Sequence, residues 1–583
     1  MEALLVAVVL TVALLALLRE WLPPVVIFLL ALGVLLSSNI ITAQQAFAGF
    51  SNSVLFIIGS LFVVAHAVER TVNLAGGMQR VLGSGEGPRG TLLRLMTPVV
   101  LLSGFINNTP VVSMLVPQVG TWANKHGISA SVLLMPLSFA AVMGGTITLI
   151  GTSTNLAVSG LLAQYGYEPL GFFEITVVGL PIALAGIVLV ALLGPKLVPE
   201  RESVFDGDDA SSQKFTFEAT VEQPLAEKTV AQAGLRNMRE AFLYALKRGE
   251  TIISPVKPDT KLQEGDVLNF TGQAAAMATL NKHKGLTPPE EKHIHNLQHN
   301  RLAYYEAIID RSSGLAGKTL KEVNFRSAYQ AAVVSIHRSG ERIDAKPGSV
   351  KLQAGDTLLL VADEHFQEHF QYGSDFLAIF PLGIQHAERG SRGLTVAGIL
   401  LAALGAAITG LLPLAAAALL AASLLVAVGA ISINQARNAI DFEVLILIGA
   451  AFGVAGAVSS SGLAEMIAGG LTDGLLMFGS VGVLAGVIIA TIILTELITN
   501  NAAALLMLPI ALNAASDVGV DPRMFAIAVA VAASASFLTP IGYQTNTMVY
   551  GPGGYKFSDY ARLGLPLTAT VVLALLLVIP QLW

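Results

Sequence analysis

One short polar motif occurs twice within strongly apolar sequence, and this duplication constrains the fold more than any other feature. The first copy is FINNTPVVSMLVP at residues 105–117, and the second is ELITNNAAALLMLP at residues 496–509. Each copy is followed by a second polar break, TLIGTSTN at residues 148–155 and LTPIGYQTN at residues 538–546. The order of the motifs is the same in both copies, and the GLP triplet also recurs at about the same offset. The sequence therefore predicts an internal repeat with a binding site between its copies.

The composition indicates where such a repeat can fold. Of the 583 residues, 54% are apolar and 13% are charged, whereas a soluble chain carries about 25% charged residues. Runs near 20 apolar residues recur, and this length crosses about 30 Å of hydrocarbon. We therefore expect a polytopic α-helical membrane protein with roughly eleven or twelve spans, two of the pieces being hairpins that do not cross. Residues 1–18 lack a basic start and a clear cleavage site, so we expect a retained first helix.

Several kinds of protein are disfavoured by what the chain contains. It has no cysteine, which excludes a disulfide scaffold, a thiolate metal site and a cysteine nucleophile. The net charge of −6 is mild and indicates no nucleic-acid partner. The Gly-rich turn at residues 83–90 is not a P-loop, because no Gly-Lys-Ser/Thr closes it. We expect no enzymatic activity.

The region between about Lys196 and about Gly390 is more polar and contains a tandem repeat. LAEKTVAQAGLRN at residues 225–237 matches LAGKTLKEVNFRS at residues 315–327, and KLQEGDVLNFTG at residues 261–272 matches KLQAGDTLLLVA at residues 351–362. Each copy predicts a small α/β module with the order strand, helix, strand, strand. The two modules resemble TrkA C-terminal domains, also called RCK C-terminal domains. The resemblance implies a cytoplasmic, regulatory region that binds a small ligand, with a nucleotide such as cyclic di-AMP as a candidate.

These patterns divide the chain into five segments. The predicted segments are a first transmembrane half (1–197, an extra helix plus repeat 1), a first module (198–285), a linker (286–300), a second module (301–375) and a second transmembrane half (390–583, repeat 2). Three histidines, His293, His295 and His299, lie in the Lys/Glu-rich connector between the modules. We interpret them as part of a solvated linker and not as metal ligands.

The repeated motifs also indicate a chemistry. Polar residues inside hydrocarbon are costly, and those present usually face a cavity or a ligand. Breaks such as Ile-Gly unwind helices, so that helix N-termini attract anions while freed carbonyls and Asn, Ser and Thr oxygens suit a cation such as Na⁺. The nearest acidic residue is Glu496, which lies three residues ahead of Thr499. One Asn pair alone would more often be contact between helices, but its duplication beside matched breaks favours a site.

On these motifs the two halves resemble the divalent anion:sodium symporter family of the ion transporter superfamily. GTSTN, TPIGYQTN and the inserted modules make the sulfate-permease branch the most similar. The resemblance implies two inverted repeats with re-entrant hairpins and broken helices, an elevator motion, a homodimer, and an inner-membrane location with the modules in the cytoplasm. It implies Na⁺ ligation by Ser103, Asn107, Asn108, Gly151, Thr495, Thr499, Asn500 and Gly542. It implies substrate contacts from Asn108, Thr109, Thr152, Ser153, Asn155, Asn500, Asn501, Tyr543, Thr545 and Asn546.

The resulting hypothesis is a secondary transporter that couples Na⁺ to a small divalent anion, with sulfate first. Dicarboxylate uptake and arsenite- or silicate-type efflux remain alternatives, although Asn501 replaces the family's Thr at the position expected to contact a carboxylate. A potassium channel or uptake protein would need a Thr-Val-Gly-Tyr-Gly filter, which GYQTN is not. A membrane sensor without transport would tolerate decayed tip motifs, whereas both copies are intact.

Overall fold

The chain forms two compact units in a computed structural model. A helical unit comprises residues 1–122, 131–201 and 389–583, and a sheet unit comprises residues 123–130 and 202–388. The structure describes all residues except 1, 20, 72–77, 79, 84–86, 202–214, 236–240, 249–250, 254–255, 257–258, 273–284, 288–301, 311–312, 339–340, 344–346, 364–365, 371–374, 383–392 and 583. Most of the predicted linker, including its three histidines, therefore lies outside the described residues.

The first half of the chain is helical. Its helices are α1 (Glu2–Leu18), α2 (Pro24–Ser37), α3 (Ala43–Phe47), α4 (Ser53–Thr71), α5 (Pro88–Ser103), α6 (Asn108–Lys125), α7 (Ser131–Gly145), α8 (Ser153–Gln164) and α9 (Thr176–Leu197). Prolines in the first turn begin α2 and α5, where a missing N–H costs nothing. A capping box between Thr42 and Gln45 begins α3.

The second half repeats this plan. Its helices are α12 (Gly393–Ile408), α13 (Leu414–Ala427), α14 (Ile433–Ala439), α15 (Phe442–Ser460), α16 (Leu463–Leu475), α17 (Gly479–Leu497), α18 (Asn500–Asp517), α19 (Pro522–Ser534), α20 (Gln544–Tyr550) and α21 (Phe557–Val578). A second capping box, Ser432 with Gln435, begins α14 as the first begins α3. Among the described residues, five helical stretches are long and apolar enough to cross a membrane, and six further apolar helices are shorter.

Two helical hairpins carry the repeated polar motif. In the first, α5 ends at Ser103 and α6 begins at Asn108; in the second, α17 ends at Leu497 and α18 begins at Asn500. A buried helix contacts each hairpin beside its tip. Ser103 donates to the Ala141 carbonyl of α7, which is buried at every residue, and Thr495 donates to the Ala533 carbonyl of α19, which is buried from Phe525 to its end.

The sheet unit contains two five-stranded sheets, in which every pairing between described strands is antiparallel. The first has the order β3-β2-β4-β1-β5 and the second β10-β6-β9-β7-β8. The strands are β1 (Phe215–Val221), β2 (Ala241–Arg248), β3 (Thr251–Ile253), β4 (Val267–Gly272), β5 (Leu286–Thr287), β6 (Leu302–Ile309), β7 (Ala332–Arg338), β8 (Glu341–Arg342), β9 (Thr357–Asp363) and β10 (Phe376–Leu382). Short helices α10 (Phe325–Tyr329) and α11 (Phe366–Phe370) accompany the second sheet.

The sheets differ from the predicted modules in two respects. In the second copy the helix expected after the first strand is only the five-residue α10, which begins after Asn324 in left-handed backbone. In the first copy residues 230–235 form turns, and most of the residues that match α10 lie outside the described part of the chain. The sheets also run past the predicted bounds of 285 and 375. Leu286–Thr287 pairs with β1, and β10 pairs with β6 as far as Leu382.

The tandem repeat is visible in an ion pair that occurs once in each sheet, at matching positions. Arg248 makes two hydrogen bonds to Asp266 at 2.8 and 2.7 Å, and Arg338 makes two to Asp356 at 2.7 and 2.8 Å. Each carboxylate is buried, and its hydrogen bonds raise the pKa of the paired guanidinium above its ordinary value. The pair fixes the turn that leads into β4 in the first copy and β9 in the second.

Candidate functional site

The two halves of the helical unit cross over at their polar motifs. Thr109 at the first tip donates a hydrogen bond to Gln544 in the break of the second copy, at 3.1 Å. At the matching position, Asn501 at the second tip is hydrogen-bonded to Ser153 in the break of the first copy, at 3.1 and 3.2 Å. Each tip thus contacts the break of the other copy, so the site is composed of both repeats.

Further contacts at the centre tie these residues together. Asn108 donates through its Nδ2 to the Tyr543 hydroxyl at 2.7 Å, and the Thr152 hydroxyl lies 3.4 Å from that same oxygen. Thr154 donates to Asn501 Oδ1 at 3.2 Å. Six of the residues predicted to bind substrate therefore meet here: Asn108, Thr109, Thr152, Ser153, Asn501 and Tyr543.

Three helices begin at this centre. The helices α6, α8 and α18 begin at Asn108, Ser153 and Asn500, and each of these residues takes part in the contacts between tip and break or directly precedes one that does. The N-cap side chains of α8 and α18, Thr152 and Thr499, make no capping hydrogen bond. Helix N-termini carry partial positive charge and exposed N–H donors, so their convergence favours an anion.

Two clusters of oxygen atoms lie immediately behind the tips. In the first, the Ser103 hydroxyl lies within hydrogen-bonding distance of Asn108 Oδ1 and of the Ala141 carbonyl, the latter at 2.8 Å. In the second, the Thr495 hydroxyl lies 2.9 Å from Asn500 Oδ1 and 2.5 Å from the Ala533 carbonyl. All four side chains are buried. Uncharged oxygens in this arrangement suit a hard cation such as Na⁺.

Glycines allow the backbone to approach these oxygens closely. A Cβ on Gly145 would lie 2.6 Å from Asn108 Oδ1, and one on Gly151 would lie 2.6 Å from the Gly145 carbonyl. A Cβ on Gly542 would lie 2.1 Å from the Ser536 hydroxyl and 2.8 Å from Glu496 Oε2. A larger residue at any of these three positions would therefore displace the oxygens beside it.

Three predicted residues lie behind the crossing and brace the broken segments. Asn155 donates to the carbonyls of Gly145 and Thr148, and Asn546 donates to those of Ser536 and Thr539. Thr545 and Asn546 are fully buried and receive hydrogen bonds from Ser138 at 2.9 and 2.7 Å. Their hydrogen bonds hold the shape of the loops that present Thr152 and Tyr543.

The remaining predicted residues, Asn107 and Thr499, directly precede α6 and α18. Thr499 Oγ1 is buried without a hydrogen-bond partner, as is Asn500 Nδ2.

Sequence reasoning missed Gln544, Thr154 and Ser138. The first two stand inside the quoted breaks, so the motif itself could have indicated them. Ser138 gave no signal, because it lies within an apolar helix.

Charged residues outside the tips join the two halves of the helical unit. Arg523 donates two hydrogen bonds to Glu174, at 2.8 and 2.7 Å. Arg201 donates two to Asp559, at 3.0 and 2.8 Å. Glu174 and Asp559 therefore each have a basic partner from the other half of the chain.

A helical unit with apolar spans, broken helices and a polar site at the crossing of two repeats defines a polytopic membrane transporter. The model of the citrate transporter family CitMHS matches residues 13–532. The chain belongs to this family of transporters. That membership agrees with the predicted superfamily of ion transporters and with a membrane location.

Curated relatives cover nearly the whole chain. It is 34% identical to the "Putative sulfur deprivation response regulator" of Chlamydomonas reinhardtii, over 91% of this chain and 94% of the relative. It is 31% identical to an uncharacterised transporter of Synechocystis, over 97% of this chain and 95% of the relative. It is 26% identical to sodium/sulfate cotransporter 1 of Chlamydomonas reinhardtii, over 94% of this chain and 86% of the relative.

Proposed function

We propose that this protein is a Na⁺-coupled symporter of a small divalent anion, with sulfate as the substrate. It works as a homodimer in the cell inner membrane, by an elevator motion of inverted repeats. The observation that carries the proposal is the crossing of the two tips, which sets helix N-termini around one centre and an oxygen cluster behind each tip. An anion at the centre and a cation in each cluster balance one another's charge.

The donors at the centre suit an anion that is recognised without a basic side chain. Asn500 Nδ2 is buried without a hydrogen-bond partner, whereas the corresponding Nδ2 of Asn108 donates to Tyr543. A buried donor left unsatisfied costs about 1–3 kcal/mol, and a bound sulfate oxygen would remove that cost. Asn500 is therefore the proposed direct donor of the second tip, with the N–H groups of the first turn of α18 beside it.

Sulfate is favoured over a carboxylate by the second tip. The third position of its motif is Asn501, whose amide is already held by Ser153 and Thr154. A relative named as a sodium/sulfate cotransporter supports the same choice. Citrate is the second candidate because the family's description names it.

The test is uptake of radiolabelled sulfate by the full chain in proteoliposomes. A Na⁺ gradient should drive accumulation that an equal gradient of choline does not, and excess unlabelled sulfate should compete better than excess citrate. Asn500→Ala serves as the inactive control. Na⁺-driven uptake of citrate without uptake of sulfate would replace the proposed substrate, and uptake unaffected by the cation would remove the proposed coupling.

The sheet unit is proposed to regulate transport from the cytoplasm, as two TrkA C-terminal-like modules that bind a small ligand, with a nucleotide as candidate. A groove of about 680 Å³ on the second sheet supports this, with Lys318, Tyr329 and Asp375 among its lining residues. Tyr329 donates to Asp375 at 2.6 Å, which fixes both polar groups at the groove.

A connection from the insertion to the site is also present within the helical unit. Arg201, the last described residue before the insertion, is paired with Asp559 at the start of α21. The next residue, Tyr560, donates to the carbonyl of Asn546 at 2.7 Å, in the second break. A displacement of Arg201 would therefore be transmitted through Asp559 and Tyr560 to the loop that carries Tyr543.

Excising residues 202–388 and joining the ends with a short flexible linker tests this role. The regulatory proposal expects Na⁺-driven uptake to persist with an altered rate. Complete loss of uptake in a correctly inserted, stable variant would make the sheet unit part of the transport machinery.

A further inference from the structure

The two oxygen clusters are built on the same plan but differ in charge. Matched hydrogen bonds align Ser103 with Thr495 and align the loop after α7 with the loop after α19. By this alignment the second copy has Glu496 where the first has Gly104, and it has Ser536 where the first has Gly145. The first cluster is formally neutral, and the second contains a carboxylate and an additional hydroxyl.

Glu496 is buried at the end of α17 and faces the second break. Its Oε1 accepts the Leu538 N–H at 2.9 Å, and its Oε2 accepts the Thr539 hydroxyl at 2.8 Å. In the first copy, the Thr148 hydroxyl donates instead to the backbone carbonyl of Gly104. The carboxylate therefore replaces a neutral carbonyl at the same place in the fold.

The Ser536 hydroxyl is a second unusual group at this position. It is fully buried beside the carboxylate and makes no hydrogen bond of ordinary geometry. Three oxygens converge around the Cα of Gly542, since a Cβ built there would lie 2.1 Å from Ser536 Oγ, 2.8 Å from Glu496 Oε2 and 3.1 Å from Thr539 Oγ1. Converging oxygens that include a carboxylate are the kind of ligands that a hard cation uses.

The charge of Glu496 has no basic partner within the described part of the chain, where its recorded contacts are with hydroxyl and backbone groups. An unpaired carboxylate in a buried, apolar setting is costly, and two hydrogen bonds do not supply an opposite charge. A cation that binds between the carboxylate and the Thr495–Asn500 pair would supply it.

We propose that Glu496 and Ser536 are ligands of the second cation site, which therefore carries one formal negative charge while the first site carries none. This inference rests on the proposed cation coupling and deepens it. The second site would bind its cation more tightly and without substrate, whereas the neutral first site would rely on the charge of the anion. Alternatively, Glu496 would be a structural clamp for the backbone at Leu538 and Thr539.

Thermal unfolding of the full chain in detergent separates the two roles. Na⁺ is titrated without substrate, at constant ionic strength with choline as the replacement. Glu496→Gln keeps an acceptor for the Leu538 N–H but removes the charge, and we expect the Na⁺ concentration for half-maximal stabilisation to rise by about tenfold or more. Ser536→Ala should raise it by a smaller factor. Glu174→Gln, which removes a carboxylate away from the cluster, should leave it unchanged.

Several outcomes would overturn the inference. One is an unchanged half-saturation in Glu496→Gln, and another is a wild-type chain that Na⁺ and Li⁺ do not stabilise. If Glu496→Gln does not fold, Ser536→Ala decides, because an unchanged half-saturation in that variant would also overturn the inference. Sulfate uptake by the same variants in proteoliposomes separates the two proposals. If Glu496→Gln raises the Na⁺ concentration for half-maximal stabilisation but the wild type takes up no sulfate, only the proposed substrate is contradicted. If Na⁺ drives sulfate uptake but Glu496→Gln leaves that Na⁺ concentration unchanged, only this inference is contradicted.

Discussion

The helical unit and the sheet unit each contain a duplicated segment, but they use the duplication in opposite ways. In the helical unit each tip is bonded to the break of the other copy, so that neither copy has a complete site alone. In the sheet unit each copy keeps its own sheet and its own Arg–Asp pair. Duplication thus produced one composite site in the first case and, in the second, two packed sheets that each keep their own ion pair.

This difference determines how mutations should combine. Residues that act on one shared site are coupled, and the effects of their mutations are not additive. Residues in separate modules without shared partners should give additive effects. Uptake and melting temperature of single and double mutants in each unit therefore test this difference.

The largest effect is expected at the two tips. Asn108→Ala removes an oxygen from the first cluster together with the contact to Tyr543, and Asn500→Ala removes an oxygen from the second cluster together with the proposed anion donor. Each should lower Na⁺-driven uptake by about 10- to 100-fold, the loss expected for about 1.4–3 kcal/mol, with little change in folding. The double variant should be little worse than either single one. Multiplied losses in the double variant would indicate two independent sites.

A smaller effect is expected from the ion pairs of the sheet unit. Asp266→Asn and Asp356→Asn each weaken one buried carboxylate–guanidinium contact, and Asp259→Asn in an exposed turn is the matched control. Each variant should lower the melting temperature of this unit by about 2–4 °C per kcal/mol lost. The double variant should show the sum of the two decreases. Uptake at saturating Na⁺ should stay near the wild-type rate, so a loss comparable to that of Asn500→Ala would contradict separate roles.

The smallest effect concerns pH. Burial raises the pKa of Glu306 from 4.5 to about 7. Its cross-strand neighbour Leu359 packs into the core of the first sheet, so Glu306 lies on the face that the two sheets share. The folded state keeps a proton that the unfolded state releases, so the contribution of Glu306 to stability is present below pH 4.5 and is lost as pH rises towards about 7.

Melting curves between about pH 5 and 8 check this sign. The melting temperature of Glu306→Gln should be near that of the wild type at about pH 5. It should exceed the wild-type value by a growing margin as the pH rises to about 8. Glu264→Gln, on an exposed turn, should run parallel to the wild type throughout. Parallel curves for Glu306→Gln as well would show that this carboxyl ionises normally in the folded chain.

The sequence predicted the tips better than what surrounds them. The repeated Asn/Thr clusters and Gly-containing breaks are local patterns, and they identified six residues that meet at the crossing. Ser138 and Ser536 could not be found in this way, because their positions behind the breaks depend on how α7 and α19 pack. Glu496 was noticed for its charge, but its place opposite Gly104 needed the matched hydrogen bonds.

The insertion shows the same limit. Its tandem repeat was visible in the sequence, but the helix predicted in each copy is only five residues long in the second copy, where it begins directly after Asn324 in left-handed backbone. The pairing of β5 and β10 with distant strands likewise moved the module ends, since register between strands is a long-range property.

Cross-linking of introduced cysteines tests the composite site most directly, because the chain has none of its own. Thr109→Cys with Gln544→Cys replaces two side chains whose Oγ1 and Oε1 atoms lie 3.1 Å apart, and Thr121→Cys with Gln544→Cys is the control, about 18 Å further along α6. A short bifunctional thiol reagent should join the first pair in membranes, which stops uptake and holds the halves together after cleavage in the insertion. Sulfate with Na⁺ should slow this cross-linking more than sulfate with choline. No cross-link, or one that ignores sulfate and Na⁺, would contradict a site between the tips.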